Sequence, residues 1–73
     1  MEATWESSDE AQFLITCQQT MKSFSNVSSQ QAVSFCRCHL KELKASGFTI
    51  DDVAEKRTPK SLMSKCEEYA GIS

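Results

Sequence analysis

The sequence predicts an all-α protein, a compact three- to four-helix bundle stapled by two disulfides. Three observations lead there. Apolar residues recur at i, i+3, i+4 and i+7, helix start and stop signals bracket each such run, and the alternation that marks a strand is absent. The chain has 73 residues and four cysteines. Below roughly 80 residues one apolar core seldom contributes more than about 3–5 kcal/mol, so folds of this size recruit disulfides, a metal or a partner. A single domain over 1–73 is expected, with residues 1–7 as an N-terminal extension.

The elements follow in order. Ser7-Ser8-Asp9-Glu10 has the form of a capping box, with Ser7 as N-cap and Glu10 reaching back. Phe13, Leu14, Cys17, Met21 and Phe24 then share a face, which predicts a first helix over about 8–24. Ser25-Asn26-Val27 breaks it. Ser28 to Gln31 repeats the capping box, and Val27 can staple onto Ala32. Ala32, Phe35, Cys36, His39, Leu40 and Leu43 make the apolar stripe of a second helix over about 29–46, with Lys41 and Lys44 outside. Gly47 ends that helix, and Phe48 can pack back on Leu43. Thr49 caps a short third helix, about 50–55, with Phe48 and Val53 as its staple. Thr58-Pro59 opens the last, about 59–70, with threonine as cap and proline at the first helical position. Leu62, Cys66 and Tyr69 share one face, and Gly71 closes it.

Every cysteine falls inside a predicted helix. Residues two apart on a helix lie about 200° apart around its axis, so Cys36 and Cys38 point to opposite sides and suit neither a shared disulfide nor a shared metal. Each reaches a different element instead. With the hairpin turn near Asn26-Val27, Cys17 stands level with residue 37, midway between the pair. Two pairings survive: Cys17–Cys36 with Cys38–Cys66, or Cys17–Cys38 with Cys36–Cys66. Both remain open at this point.

Composition narrows the function. Disulfides persist in oxidising compartments, which predicts a secreted or periplasmic protein. The first ten residues carry Glu2, Glu6, Asp9 and Glu10 without a basic residue, the reverse of a signal peptide, so a leader is expected to have been removed. Eight basic residues against ten acidic ones give a net charge of −2, which argues against nucleic acid as a partner. No apolar run approaches the ~20 residues of a membrane span.

Chemistry has little to stand on. Cys36-Arg37-Cys38-His39 offers thiolates and an imidazole, the ligands of zinc and copper, but structural zinc sites space their cysteines so that the sulfurs converge. A catalytic dithiol needs exposure and a lowered pKa, whereas Cys36 is centred on an apolar stripe. His39, the single histidine, sits at the stripe's edge with no serine and acid placed to complete a triad. There is no glycine-rich phosphate loop. The chain is therefore expected not to be an enzyme and to carry no cofactor. The expected core is Phe13, Cys17, Phe24, Phe35, Cys36, Leu40, Leu43, Phe48 and Leu62. Trp5, Ile15 and Met63 remain off the main stripes as candidate contacts for a protein partner or for self-association, Trp5 also suiting core cover.

The order Trp5, Phe13-Leu14-Ile15-Thr16-Cys17, Phe35-Cys36-Arg37-Cys38-His39-Leu40 and a last cysteine, Cys66, resembles small four-cysteine helical exported bacterial proteins. Their loose pattern is W…F-x-x-x-C, an aromatic-C-x-C-x-L run and a C-terminal cysteine. The resemblance spans nearly the whole chain. It implies export and disulfides at the four cysteines, and it supplies no catalytic residue. The function expected is a small exported, non-enzymatic binding or interaction module, such as an effector, inhibitor or accessory protein. The alternative is a thiol-redox or metal-binding protein using Cys36 to His39.

Overall fold

A computed structural model describes residues 4–72. Four helices follow one another: α1 (Ser7–Lys22), α2 (Ser29–Ala45), α3 (Ile50–Ala54) and α4 (Lys60–Ala70). No strand occurs among the described residues. The second helix is central, and the main helix interfaces are those of α2 with α1 and with α4.

The cap of α2 is as expected: the Gln31 N–H donates to Ser28 Oγ at 3.1 Å, and Gln31 Oε1 accepts from the Ser28 N–H at 2.9 Å. Thr49 and Asp52 exchange the same pair of bonds at the start of α3. Two starts differ by one residue from the expectation. The N-cap of α1 is Glu6, not Ser7, and the Glu6 N–H donates to Asp9 Oδ2 at 3.4 Å. Glu10 does not reach back, because its carboxylate meets Lys44 Nζ of α2 at 3.3 Å. Likewise Thr58 does not cap α4: Pro59 is the N-cap, its ψ of 142° is extended, and its carbonyl already accepts the Leu62 N–H at 3.3 Å.

The helix ends share a mechanism. After α2, Gly47 takes φ 83°, so that its N–H reaches the Lys44 carbonyl and the Phe48 N–H reaches that of Leu43. Gly71, at φ 74°, closes α4 in the same way, with the Ile72 N–H on Glu67 O at 2.9 Å. The third such turn follows α3, with the Arg57 N–H on Asp52 O at 2.9 Å, but the left-handed position is held by Lys56 at φ 58°.

The expected core needs one correction. Phe24 is 51% exposed, and Met21 takes the buried place at that end. The physical reason is the early end of α1. The Ser23 and Phe24 N–H groups bond three residues back, to Thr20 and Met21, and this tighter winding turns Phe24 off the stripe.

Buried side chains form two clusters. Met21, Ala32, Phe35, Cys36 and Cys66 gather at the end holding the α1–α2 turn, joined by Leu14, Cys17, Val27, Cys38, Ala70 and Ile72. Trp5, Phe13, Leu40 and Leu43 gather at the other end with Phe48, Ile50, Val53 and Leu62, so the short α3 acts as a lid on that end. The disulfides are Cys17–Cys36, between α1 and α2, and Cys38–Cys66, between α2 and α4, with Cα–Cα distances of 5.9 and 5.5 Å. Both satisfy the spacing a disulfide needs. Of the two pairings left open by the sequence, this is the first. Opposed directions on α2 send one sulfur to each flanking helix. Lys44–Glu10 and Lys65–Glu42 bridge the same two helix pairs on the surface.

Candidate functional site

Each of the four cysteines is bonded, and Cys36 and Cys66 have no exposed surface. No thiolate is present to attack a substrate or hold a metal while these bonds stand. Among the described residues no three His, Cys, Asp or Glu side chains gather where they could hold a metal ion.

The residues singled out as partner contacts do not come together. Trp5 is buried, at 8% exposure; its ring meets Phe13 edge-on at 5.7 Å, and its Nε1–H donates to the Phe48 carbonyl at 2.9 Å. It ties the N-terminal segment onto the loop between α2 and α3 and offers no anchor to a partner. Ile15 is exposed, but helix phase places it about 200° from Phe13 and from Cys17, in the middle of the outer face of α1. Met63 is exposed on α4 and turns toward α1.

Met63 forms part of a feature that the sequence did not disclose. Residues of α1, α2 and α4 with the α3 segment line one cleft, to which α1 gives Phe13, Thr16, Cys17, Thr20 and Met21, α2 gives Phe35 and His39, and α4 gives Met63. Its volume is about 450 Å³, within the ~300–1,000 Å³ of small-molecule sites. The walls are largely apolar, from Phe13, Met21, Phe35, Val53 and Met63 with the Cys17 disulfide. Thr16 and Thr20 line it from α1, and Lys56 lines it from the turn after α3.

His39 lines the cleft where the two core clusters meet, with its ring 5.5 Å from that of Phe13 and 5.7 Å from that of Phe35. Only 7% of its surface is exposed, and its Nε2 is buried without a hydrogen-bond partner. Burial disfavours the charged imidazolium and lowers its pKa below the ordinary 6.5, so His39 is neutral at pH 7. A buried polar atom left unpaired usually costs about 1–3 kcal/mol.

Lys56 is the one cation lining the cleft. Arg57, next to Lys56, pairs with both Asp52 and Glu55, which occupies the nearby acids. The Lys56 ammonium has no carboxylate within ion-pair range among the described residues. Thr49 holds the Asp52 carboxyl below its usual range, chiefly by donating its backbone N–H.

Sequence reasoning placed Met63 outside the core and His39 at the stripe's edge but missed Thr16, Thr20, Val53 and Lys56. One signal was there to be read. The ends of α2 and α4 carry glycine, whereas the short α3 runs into Lys56-Arg57, which implies a lysine in an unfavourable left-handed turn. Neither family models, curated proteins nor solved structures yield a match to this chain. The function therefore has to be argued from the chain's own geometry.

The two disulfides point to an oxidising environment. No helix among the described residues is long and apolar enough to cross a membrane.

Proposed function

We propose that this chain is a small exported binding module, secreted or periplasmic, that acts by holding an apolar ligand and not by turnover. The observation that carries the reading is the cleft between α1 and α4. It is apolar, of ligand size, and walled by helices that disulfides pin to α2. Such fixed walls lower the ordering cost of binding, because the site exists before the ligand arrives. The disulfides favour an oxidising compartment and hence export, and a bacterial source is proposed on the resemblance to small four-cysteine exported bacterial proteins alone. The thiol-redox and metal alternative through Cys36-Arg37-Cys38-His39 has weaker support, since both sulfurs are engaged in bonds to different helices.

The test uses a neutral apolar dye, Nile red, titrated into the oxidised protein. Saturable one-to-one binding is expected, and Met63→Lys should abolish it while leaving the far-ultraviolet circular dichroism unchanged, because Met63 is exposed on one wall. No saturable binding, or binding untouched by Met63→Lys in a folded protein, overturns the reading.

A further inference from the structure

We infer that the cleft is selective for a free aliphatic monocarboxylate, with the chain lying along Phe13, Met21, Phe35 and Met63 and the carboxylate held between Lys56 and His39. This rests on the cleft being a ligand site, and it adds the chemical class.

Three independent observations point to it. The first is charge. Lys56 is the one cation lining the cleft, and no carboxylate lies within ion-pair range of it among the described residues, its neighbour Arg57 having engaged Asp52 and Glu55. An unpaired ammonium lining an apolar cleft matches an anionic head on an apolar tail. The second is the buried imidazole. His39 is more than nine-tenths buried and lines the cleft, and its Nε2 lacks a hydrogen-bond partner. Buried polar groups are nearly always paired, so an orphan in a binding cleft marks where a ligand's polar atom completes the set. A carboxylate oxygen takes the bond when the imidazole presents its Nε2–H.

The third is the backbone. The left-handed residue that follows α2 and α4 is glycine, and after α3 it is Lys56. A side chain with a Cβ is disfavoured in that conformation. The lysine stands where glycine would serve the turn better, and it lines the cleft.

The class of ligand follows by exclusion as well. A dianionic phosphate head would meet a single cation. A neutral alcohol would leave the ammonium unused.

The experiment compares decanoate with decanol, both below the concentration at which they aggregate, by isothermal titration calorimetry on the oxidised wild-type protein and on Lys56→Gln. Decanoate should bind one-to-one and about five-fold more tightly than decanol, a ratio typical of one partly solvated charged contact. In Lys56→Gln the ratio of decanoate to decanol affinity should fall toward one. The ring ¹⁵N resonances of His39 should move with decanoate and not with decanol. Equal affinities in the wild-type protein, an unchanged preference in Lys56→Gln, or a silent His39 ring overturns the assignment. If Nile red still binds in that case, the cleft reading stands and only the ligand class falls. If neither dye nor decanoate binds, both fall. Sedimentation with phosphatidylglycerol vesicles in the absence of decanoate binding likewise overturns a free carboxylate in favour of a membrane surface.

Discussion

Removing the Cys38–Cys66 bond should lower the melting temperature by about 20 °C, a figure that can be worked from the connectivity. A crosslink restricts the unfolded chain by roughly 2.1 + 1.5R ln n cal/mol/K for a loop of n residues. The separation across Cys38–Cys66 is 28 residues and that across Cys17–Cys36 is 19. At 25 °C those lengths correspond to about 3.6 and about 3.2 kcal/mol. The two loops follow one another without overlap, so in the same model the contributions add to about 7 kcal/mol. Natural domains are stable by only about 5–15 kcal/mol, and a chain of this size belongs near the lower end. For a domain of 60–100 residues each kcal/mol moves the midpoint by about 4–8 °C. Cys38→Ala/Cys66→Ala should therefore melt about 15–25 °C below wild type, and Cys17→Ala/Cys36→Ala slightly less far below it. Cys66 has no exposed surface, so its truncation adds a small cavity and makes the first figure a lower bound. The assay is thermal denaturation followed by circular dichroism, with thiol titration to confirm that the remaining bond is intact. Complete reduction of the wild-type protein should leave it unfolded or nearly so at 37 °C. A double variant melting within about 5 °C of wild type would refute the argument, since a loop of that length cannot be so weakly felt if the crosslink constrains the unfolded chain.

Three further outcomes are expected. Because burial depresses the pKa of His39, the unfolded chain takes up a proton below pH 6.5 that the folded chain resists, so stability should fall as the pH drops through that value. His39→Leu should flatten the profile between pH 7 and 5, and an unchanged slope would contradict it; Asp52, whose folded-state pKa is also depressed, acts in a separate window below its ordinary 3.8, where its contribution is lost on acidification. Lys56→Gly should raise stability by about 0.5–1 kcal/mol in urea denaturation by relieving the left-handed strain, and a loss of stability would show that the lysine side chain packs more than its backbone costs. Thr49→Ala should cost about 1 kcal/mol while Thr58→Ala is close to neutral, because only Thr49 accepts a cap hydrogen bond, and equal effects in the same assay would remove that distinction.

Much of the fold was legible because its signals are local. Ser28 with Gln31, Thr49 with Asp52, and Gly47 and Gly71 after their helices act within a few residues of themselves, and each does in the structure what its spacing implies. The errors have tertiary causes. Glu10 was expected to cap its own helix, and a lysine on another helix takes it. Phe24 continues the stripe of α1 on paper, but the chain tightens at Ser23 to turn into α2 and leaves the ring outside. Trp5 lies outside any periodic segment, so no pattern could show that its indole reaches a carbonyl 43 residues away.

The sequence by itself determined the helices, their polarity, the short third segment and the fact that Cys36 and Cys38 must serve different neighbours, since helix phase is a property of spacing alone. It left two pairings equal, because a sulfur midway between two others in height is not thereby nearer to either. Only the packing of α1 and α4 against α2 chose between them, by sending Cys36 to α1 and Cys38 to α4. That same arrangement made the cleft, which gathers Thr16, His39, Lys56 and Met63 from four separate elements or loops. No local spacing encodes such a gathering, because distance across the cleft depends on how the helices cross and not on how far apart their residues stand in the chain.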